Sequence, residues 1–430
     1  MRVWLSAAAM TACLIPGAST GTESGAQVQL ASVDVVTSLR PQLRPARVEA
    51  AKPTTVASES GFQAWIAGFG PRAEAAGIRR SVWQGALSGV SYDAEVIKRD
   101  RNQSEFTKTV WVYLDSAASD LRVKNGKAAL KKRDALLDRI EAKYGVEKEV
   151  VVAIWGLESA YGTFRGSKSV IRSLATLAYD ARRSEFFEEQ LIAALQILQA
   201  GDVSRGSMNG SWAGAMGHTQ FMPTSFLEYA VDYSGDGKRN IWSDDPTDAL
   251  ASTAAYLAGH GWTTGQPWGV EVTLPKGFDY TLANREITKS PKEWAKLGVK
   301  GMNGKAVRNH GAASILLPGG AEGVPFMIFD NFEVLESYNT ADAYVIGVGH
   351  LSDRIRGAGK LQGDWPRGDR ALTYDERIEL QERLTAKGFD TQKIDAKIGP
   401  LTINAVRAYQ VANGMVPDGY ASPRLLQSLR

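Results

Sequence analysis

A carboxylic acid stands among apolar residues in the segment EVVVAIWGLESAYG, residues 149–162. A helical repeat of 3.6 residues puts four side chains on one face: Val151, Ile154, Trp155 and Glu158. Burial of a carboxyl group without a cationic partner raises its pKa, and a carboxyl group that keeps its proton near neutral pH can donate that proton in catalysis. The spacing alone leaves a second interpretation open, in which Glu158 is a structural residue hydrogen-bonded to nearby backbone.

An ordinary glycosidase needs a second carboxylate, because one acid donates a proton and another acts as nucleophile or base. Four acids follow Glu158 closely, in hydrophilic sequence typical of a solvated helix face: Asp180, Glu185, Glu188 and Glu189. If Glu158 acts alone, it must serve first as acid and then as base. The attacking nucleophile would then be a hydroxyl of the substrate itself.

The segment SWAGAMGHTQFMPTSF, residues 211–226, is the second chemical signal. Its small residues let the backbone approach a ligand closely, while Ser211 and Gln220 supply hydrogen-bonding groups. His218 is one of four histidines in the sequence, none of them at metal-ligand spacing, which favours a structural or solvent-facing role for its ring. By itself, a Gly-rich loop does not specify the ligand.

The elements that must position these residues are mainly helical. Apolar spacing predicts helices over 62–76, 104–115, 127–143, 147–161, 185–199, 248–259 and 338–355, with a turn at Lys124-Asn125-Gly126. A small strand-containing segment is predicted from alternating runs at 270–274, 312–317 and 325–329. Residues 202–246 lack a regular period, and a stretch this irregular inside a compact domain is usually functional. The predicted fold class is therefore mainly α.

Both ends of the chain differ from this body. Residues 1–19 resemble a secretory signal, since an apolar run follows Arg2 and ends in small residues, and residues 20–58 have the composition of a flexible spacer. Residues 358–371 form a second, Gly-rich linker. Beyond it, residues 372–430 are predicted to form a compact module with helices over 374–387, 402–413 and 422–429.

The only cysteine of the sequence, Cys13, lies in the leader, so neither an intrachain disulfide nor a cysteine-based metal site is available. The tetrapeptide Met10-Thr11-Ala12-Cys13 is a loose match to a lipoprotein box, in which the cysteine is acylated. Cleavage near Ser19 with release of the protein is an equally good alternative, and either route exports the chain. A net charge of +3 without a basic tract predicts no nucleic-acid partner.

Four segments in order carry a family resemblance: GLESAYG, SWAGAMGHTQFMP, VDYSGDGKRNIWSDDPTDALASTAAYL and YNTADAYVIGVGHL. Together they cover residues 60–357 and resemble the membrane-bound lytic murein transglycosylase B type, family 3 of these enzymes. The resemblance implies a lysozyme-like helical catalytic domain that cleaves peptidoglycan between N-acetylmuramic acid (MurNAc) and N-acetylglucosamine (GlcNAc). It also implies the periplasm of a Gram-negative bacterium, with attachment to the outer membrane if Cys13 is acylated.

In that family a single Glu carries the chemistry, and the resemblance assigns this role to Glu158. It would protonate the leaving glycosidic oxygen and then take the proton of the MurNAc C6 hydroxyl as that oxygen closes on C1, which gives a 1,6-anhydro product. No cofactor is required for this chemistry. Similarity places six substrate-binding residues in the cleft: Ser211, Gln220, Tyr113, Tyr256, Tyr338 and Tyr344.

The segment 232–240 resembles the start of a calcium loop, with oxygen-bearing side chains at positions 1, 3 and 5 and Gly at position 6. The predicted ligands of this structural calcium are Asp232, Ser234, Asp236, Lys238 and Asp248, the last as the closing acid by family resemblance. Position 12 is Ser243 rather than Glu, and a tight polar turn before the next helix is an equal alternative.

The C-terminal module resembles the three-helix peptidoglycan-binding type through the sequence LQERLTAKGFDTQKIDAKIGPLTINAVRAYQVANGMVPDG. Its expected role is to hold the enzyme on peptidoglycan strands and so raise the local substrate concentration. Two other functions stay open at this point. A lysozyme-like muramidase would hydrolyse the same bond with an unrecognised Asp, and a non-catalytic wall-binding protein would only bind. The presence of both Glu158 and Gln220 disfavours the second.

Overall fold

The computed structural model describes residues 58–101, 108–180 and 182–430. The predicted leader with Cys13, and all of the predicted spacer except its last residue, lie outside the described residues. Within them the chain is mainly α-helical, as predicted, with two small antiparallel sheets. Among the helices described, none has the length and apolar character needed to cross a membrane.

The helices of the described residues are α1 (Glu59–Ala75), α2 (Arg80–Leu87), α3 (Ala94–Arg101), α4 (Val110–Ala117), α5 (Asp120–Lys132), α6 (Asp134–Tyr144), α7 (Lys148–Ser159), α8 (Val170–Tyr179), α9 (Ser184–Ala200), α10 (Pro223–Tyr229), α11 (Thr247–Gly259), α12 (Pro291–Lys296), α13 (Asp330–Tyr338), α14 (Asp342–Arg356), α15 (Tyr374–Ala386), α16 (Pro400–Ala412) and α17 (Pro423–Leu429). The strands are β1 (Lys168–Ser169), β2 (Asn209–Gly210), β3 (Gly269–Thr273), β4 (Lys300–Gly301), β5 (Ser314–Leu316) and β6 (Phe326–Ile328).

Helix α7 lies at the centre of the largest hydrophobic core and packs against α5, α6, α11 and α14. Val151 and Ile154 on this helix are fully buried. Full burial of one such aliphatic side chain contributes about 1.5–3 kcal/mol, so several of them anchor the helix firmly. The core thereby fixes the residues at the C-terminal end of α7, where Glu158 lies.

The strand-containing segment forms a four-stranded antiparallel sheet in the order β4-β3-β6-β5. Met327 of β6 is the central pairing position, opposite Val270 of β3 and Ile315 of β5. This sheet has its own small core around Trp294 of α12, whose indole nitrogen donates to the Ala313 carbonyl at 2.8 Å. The three strands predicted from alternating sequence therefore correspond to β3, β5 and β6.

The predicted turn at Lys124-Asn125-Gly126 is wrong, because these residues lie inside α5. Instead, the absence of a side chain at Gly126 lets α5 pack closely against Ile355 and Tyr161. A Cβ atom at this position would lie 2.5 Å from Ile355 Cδ1 and 2.7 Å from the Tyr161 hydroxyl. A glycine inside a helical pattern can mark tight packing as well as a turn.

Three predicted helices have the wrong bounds. The helix predicted over 104–115 begins at Val110 as α4, residues 102–107 being outside the described residues, and the one predicted over 127–143 is divided between α5 and α6 at Arg133. The helix predicted over 338–355 begins only at Asp342, as α14, because Tyr338 is the last residue of α13. Asn339 is extended between them, with φ −155°, and its side-chain oxygen accepts the Ala341 N–H at 3.1 Å.

The C-terminal module is a three-helix unit with its own core. A capping box of Thr373 and Glu376 starts α15, which explains the sharp helix start. The module contacts the strand-containing segment, since Arg407 Nη2 donates to the Ala283 carbonyl at 2.6 Å. The predicted linker also packs on the helical body, where the rings of Trp365 and Trp111 lie 5.9 Å apart.

Candidate active site

Glu158 occupies the last turn of α7 and is half-buried, whereas the sequence pattern predicts a fully buried stripe. The difference arises because the last turn of α7 is covered unevenly: Leu157 and Glu158 are half-buried, whereas Ser159 is buried. Beyond it, Ala160 and Tyr161 adopt left-handed backbone conformations with φ of 49° and 60°. Such conformations cost non-glycine residues of order 1 kcal/mol or more and cluster at functional sites. The chain therefore changes direction at Ala160 and Tyr161, just beyond Glu158.

The hydroxyl of Tyr344 lies 2.6 Å from Glu158 Oε1. The ring of Tyr344 stacks on that of Tyr338 with centroids 6.5 Å apart and planes 7° from parallel. Burial, with a smaller effect of the Glu158 charge, raises the pKa of both tyrosine hydroxyls well above their ordinary value. Tyr344 therefore stays protonated and donates its hydrogen bond to the carboxylate.

Two further predicted residues adjoin this pair. The Tyr338 hydroxyl donates to the Thr219 carbonyl at 2.6 Å, and the Tyr256 ring meets the Tyr338 ring edge-on at 4.9 Å. Tyr256 is buried, and its hydroxyl donates to the Ser337 carbonyl at 2.5 Å, so it supports Tyr338 from behind. Tyr113 lies against α14, where a Cβ on Gly347 would approach its ring to 2.9 Å.

The loop that contains Ser211 and Gln220 is held by its own backbone and side-chain bonds. The Ser211 hydroxyl oxygen accepts the N–H of Ala215 at 3.1 Å. Gln220 has a positive φ of 55°, and its amide nitrogen donates to the carbonyls of Gly217 at 2.9 Å and Arg165 at 3.1 Å. Gln220 thus joins this loop to the segment that follows Glu158, with its side-chain oxygen left as the acceptor end.

His218 is buried and joins the same two segments. Its Nδ1 accepts the indole N–H of Trp155 at 3.1 Å, so its proton lies on Nε2, which donates to the Ser243 carbonyl at 2.8 Å. Burial lowers the pKa of this imidazole, in keeping with a neutral ring. The hydroxyl of Ser159, next to Glu158, donates to the His218 carbonyl at 2.5 Å. The histidine has the structural role that the sequence favours.

The four acids that follow Glu158 in the sequence have other surroundings. Asp180 pairs with Arg101 at 3.0 Å, and Glu188 pairs with Arg72 at 2.6 Å. Glu185 and Glu189 are exposed on α9. The three glutamates on α9 agree with the solvated helix face predicted for this stretch. Asp180 does not, because it caps the end of α8 and its side chain is only 5% exposed.

The predicted calcium loop brings oxygens of Asp232, Asp236 and Asp248 within 4.8 Å of one another. Asp248 also accepts three backbone N–H groups of the loop, those of Tyr233 and Ser234 on Oδ1 and that of Asn240 on Oδ2. Oδ2 accepts a single backbone N–H and keeps a second lone pair, so these bonds and a cation on Oδ2 are compatible. Hard oxygen donors are the ligands that calcium takes, and Lys238 would contribute through its backbone carbonyl. The donor set therefore fits calcium in type.

Phe164 is a residue of this region that sequence reasoning missed. It follows the strained turn after Glu158, its N–H bonds the Ser159 carbonyl at 2.9 Å, and it is 74% exposed. An exposed aromatic ring close in sequence to Glu158 offers a flat apolar face to a sugar ring. The sequence around Phe164, between Thr163 and Arg165, is typical of a turn and does not single out this residue.

Comparison with known proteins gives consistent matches to this arrangement. A family model described as the transglycosylase SLT domain matches residues 61–353, and one described as a putative peptidoglycan binding domain matches residues 373–429. Membrane-bound lytic murein transglycosylase B of Escherichia coli strain K12 is 33% identical over 241 residues, which are 54% of this chain and 63% of that protein. The chain thus matches less than two thirds of that relative's length.

Solved structures share the fold. A crystal structure of SltB3 from Pseudomonas aeruginosa in complex with NAG-anhNAM-pentapeptide has 49% sequence identity and a TM-score of 0.83, covering 86% of this chain and 99% of that one. Escherichia coli Slt35 in complex with calcium has 30% identity and a TM-score of 0.59, covering 70% and 94%. The SLT match includes the Glu158 helix, the 211–226 loop and the Tyr338–Tyr344 pair, and the chain belongs to the transglycosylase SLT family.

Proposed function

We propose that this protein is a lytic murein transglycosylase, which cleaves the β-1,4 bond between MurNAc and GlcNAc and leaves a 1,6-anhydro-MurNAc end. The observation that carries the proposal is the hydrogen bond from Tyr344 to Glu158, which orients one carboxyl group in a half-buried site. Family membership supports the reaction class. The ligand named for the SltB3 structure, an anhydro-muropeptide, is the kind of product expected.

Glu158 serves as both acid and base in the proposed mechanism. Because Tyr344 donates to Oε1, the titrating proton belongs on Oε2, which protonates the glycosidic oxygen as the bond to C1 breaks. The ionised carboxylate then takes the proton of the C6 hydroxyl of the same MurNAc residue, and that oxygen closes on C1. The proton balance returns to its starting point, and water is not consumed.

The remaining polar groups bind and orient the sugar. The Gln220 side-chain oxygen accepts from a sugar hydroxyl, since its nitrogen already donates to Arg165 and Gly217. The Ser211 hydroxyl accepts two backbone N–H groups and keeps its own proton for a sugar or acetamido oxygen. Tyr113, Tyr338 and Tyr344 border the sugar subsites, with Tyr256 behind them. Polar groups of this kind stabilise the positive charge that develops on the sugar.

Substitution of the single acid tests this mechanism. Glu158→Gln keeps the shape and removes the titrating proton, so we expect loss of peptidoglycan cleavage with retained binding to sacculi. Glu189→Gln, on the exposed face of α9, is the matched control and should stay active. A Glu158→Gln variant that still solubilises sacculi would contradict the single-acid mechanism.

The C-terminal module is proposed to hold the enzyme on peptidoglycan, as its family match indicates. The protein is proposed to act in the periplasm, exported by its leader and either acylated at Cys13 or released by cleavage near Ser19. Mass spectrometry of the mature N-terminus distinguishes the two routes: a diacylated or triacylated cysteine supports the anchor, and an unmodified peptide starting after Ser19 supports release. A structural calcium bound by the 232–248 loop completes the proposal.

A further inference from the structure

Arg285 connects the strand-containing segment with the two helices that carry the tyrosine pair. It lies just after the 3₁₀ turn Tyr280–Leu282, and its guanidinium stands over the Phe332 ring at 5.1 Å. Its two terminal nitrogens donate to both oxygens of Glu336 on α13, with Nη1 to Oε1 at 2.7 Å. The same Nη1 lies 3.6 Å from Asp342 Oδ1 on α14. One cation therefore bridges two helices.

The two carboxylates of this bridge lie close in sequence to the two stacked tyrosines. Glu336 lies two residues before Tyr338, and Asp342 lies two residues before Tyr344, on opposite sides of the break at 339–341. The end of α13 is also held by the bond from Tyr256 to the Ser337 carbonyl. The Arg285 bridge thus links the end of α13, which carries Tyr338, to the start of α14, which carries Tyr344.

Without Arg285, this bridge would hold two neighbouring carboxyl groups and no positive charge between them. The side chains of Glu336 and Asp342 are 19% and 29% exposed, so solvent screens them only partly. Burial raises the pKa of Asp342 to about 6, an effect that Arg285 opposes and Glu336 reinforces. Glu333, one turn earlier on α13, adds a further negative charge near the guanidinium. Removal of the cation would leave carboxylates repelling each other across the two helix ends.

We infer that Arg285 is a positioning residue for the reaction, because its bridge between Glu336 and Asp342 keeps Tyr344 stacked on Tyr338 with its hydroxyl on Glu158. This inference rests on the proposed function, in which Glu158 is the acid and base. The strand-containing segment thus contributes to the reaction by supplying the cation that aligns the two tyrosines. Arg285 itself need not touch the substrate.

The test uses the full-length protein and purified sacculi, with kcat and KM measured between pH 5 and pH 8. Arg285→Met should lower kcat by about tenfold at pH 7.5 with little change in KM, the size expected for coupled neighbouring groups. The defect should shrink as pH falls to 5, because loss of Arg285 raises the pKa of Asp342 further and protonation of Asp342 removes the repulsion. Arg285→Lys keeps one charge and should lose less. Arg308→Met, an exposed arginine of the same segment, is the control.

A second variant separates positioning from general stability. In the Arg285→Met background, Asp342→Asn removes one of the repelling charges and should restore most of kcat at pH 7.5. Circular dichroism and thermal melts give the folded fraction, to which each rate is normalised. A wild-type kcat in Arg285→Met, or a loss of folded protein that fully explains the lost rate at every pH, would overturn the positioning role.

Failure of this inference can be distinguished from failure of the proposed function. Glu158→Gln is assayed beside the Arg285 variants on the same sacculi. An active Glu158→Gln protein would refute the proposed function. An inactive Glu158→Gln protein together with a fully active Arg285→Met protein would refute the positioning role alone.

Discussion

Tyr344→Phe removes one hydroxyl and leaves the ring that stacks on Tyr338. The lost bond, from Tyr344 to Glu158 Oε1 at 2.6 Å, has a charged acceptor. Hydrogen bonds to charged groups contribute about 1.5–3 kcal/mol, and 1.4 kcal/mol corresponds to a factor of ten. We therefore expect kcat to fall by about 10- to 150-fold, because the carboxylate that forms when the leaving oxygen is protonated loses a donor that stabilises it.

Release of anhydromuropeptides from sacculi, followed by liquid chromatography and mass spectrometry, measures this effect. Tyr409→Phe is the matched control, because its hydroxyl donates to the Ser428 carbonyl at 2.9 Å within the C-terminal module. That control should lose some stability and keep its kcat. If Tyr344→Phe turns over as fast as the wild type while its fold is intact, the hydrogen bond does not stabilise the Glu158 carboxylate in the reaction.

Three further predictions concern stability and binding. Burial raises the pKa of Asp353 from 3.8 to about 6, so the folded state binds the proton more tightly and wild-type stability falls as pH rises from 4 through 6. Asp353→Asn should therefore raise the free energy of unfolding by about 1–2 kcal/mol at pH 8 and not at pH 3.5, as denaturant titration will show. Calcium at about ten times its dissociation constant should add about 1.4 kcal/mol to the free energy of unfolding, and so raise the melting temperature above that measured with a chelator. Asp236→Asn should reduce this increase. Equal melting temperatures with calcium and with chelator would rule out the site. Phe164→Ala should raise KM for sacculi by about two- to tenfold with kcat unchanged, whereas Leu121→Ala, 68% exposed on α5, should change neither.

The helical character and the main strands could be predicted from sequence because burial patterns are local. Helix α7 follows the apolar repeat that ends at Glu158, and β3, β5 and β6 follow alternating runs. The turn predicted at Gly126 failed because the reason for that glycine is distant in sequence. It makes room for Ile355 and Tyr161, which no local pattern reveals.

Glu158 could be proposed as the catalytic acid from sequence because an acid on an apolar face is unusual, and the family resemblance then gave it a role. The hydrogen bond from Tyr344 could not be predicted, since the two residues are 186 positions apart. The break at Asn339 was also missed, because helical residues stand on both sides of it. Arg285 gave no signal at all, since its partners Glu336 and Asp342 are brought to it only by the fold.

In the proposed mechanism the substrate's own C6 hydroxyl, and not water, attacks C1 after Glu158 has protonated the leaving oxygen. Digestion of sacculi in water labelled with heavy oxygen, followed by mass spectrometry of the products, distinguishes the two nucleophiles. We predict 1,6-anhydro-MurNAc ends that contain no label. Reducing MurNAc ends that carry heavy oxygen would refute this mechanism and identify the protein as a hydrolase.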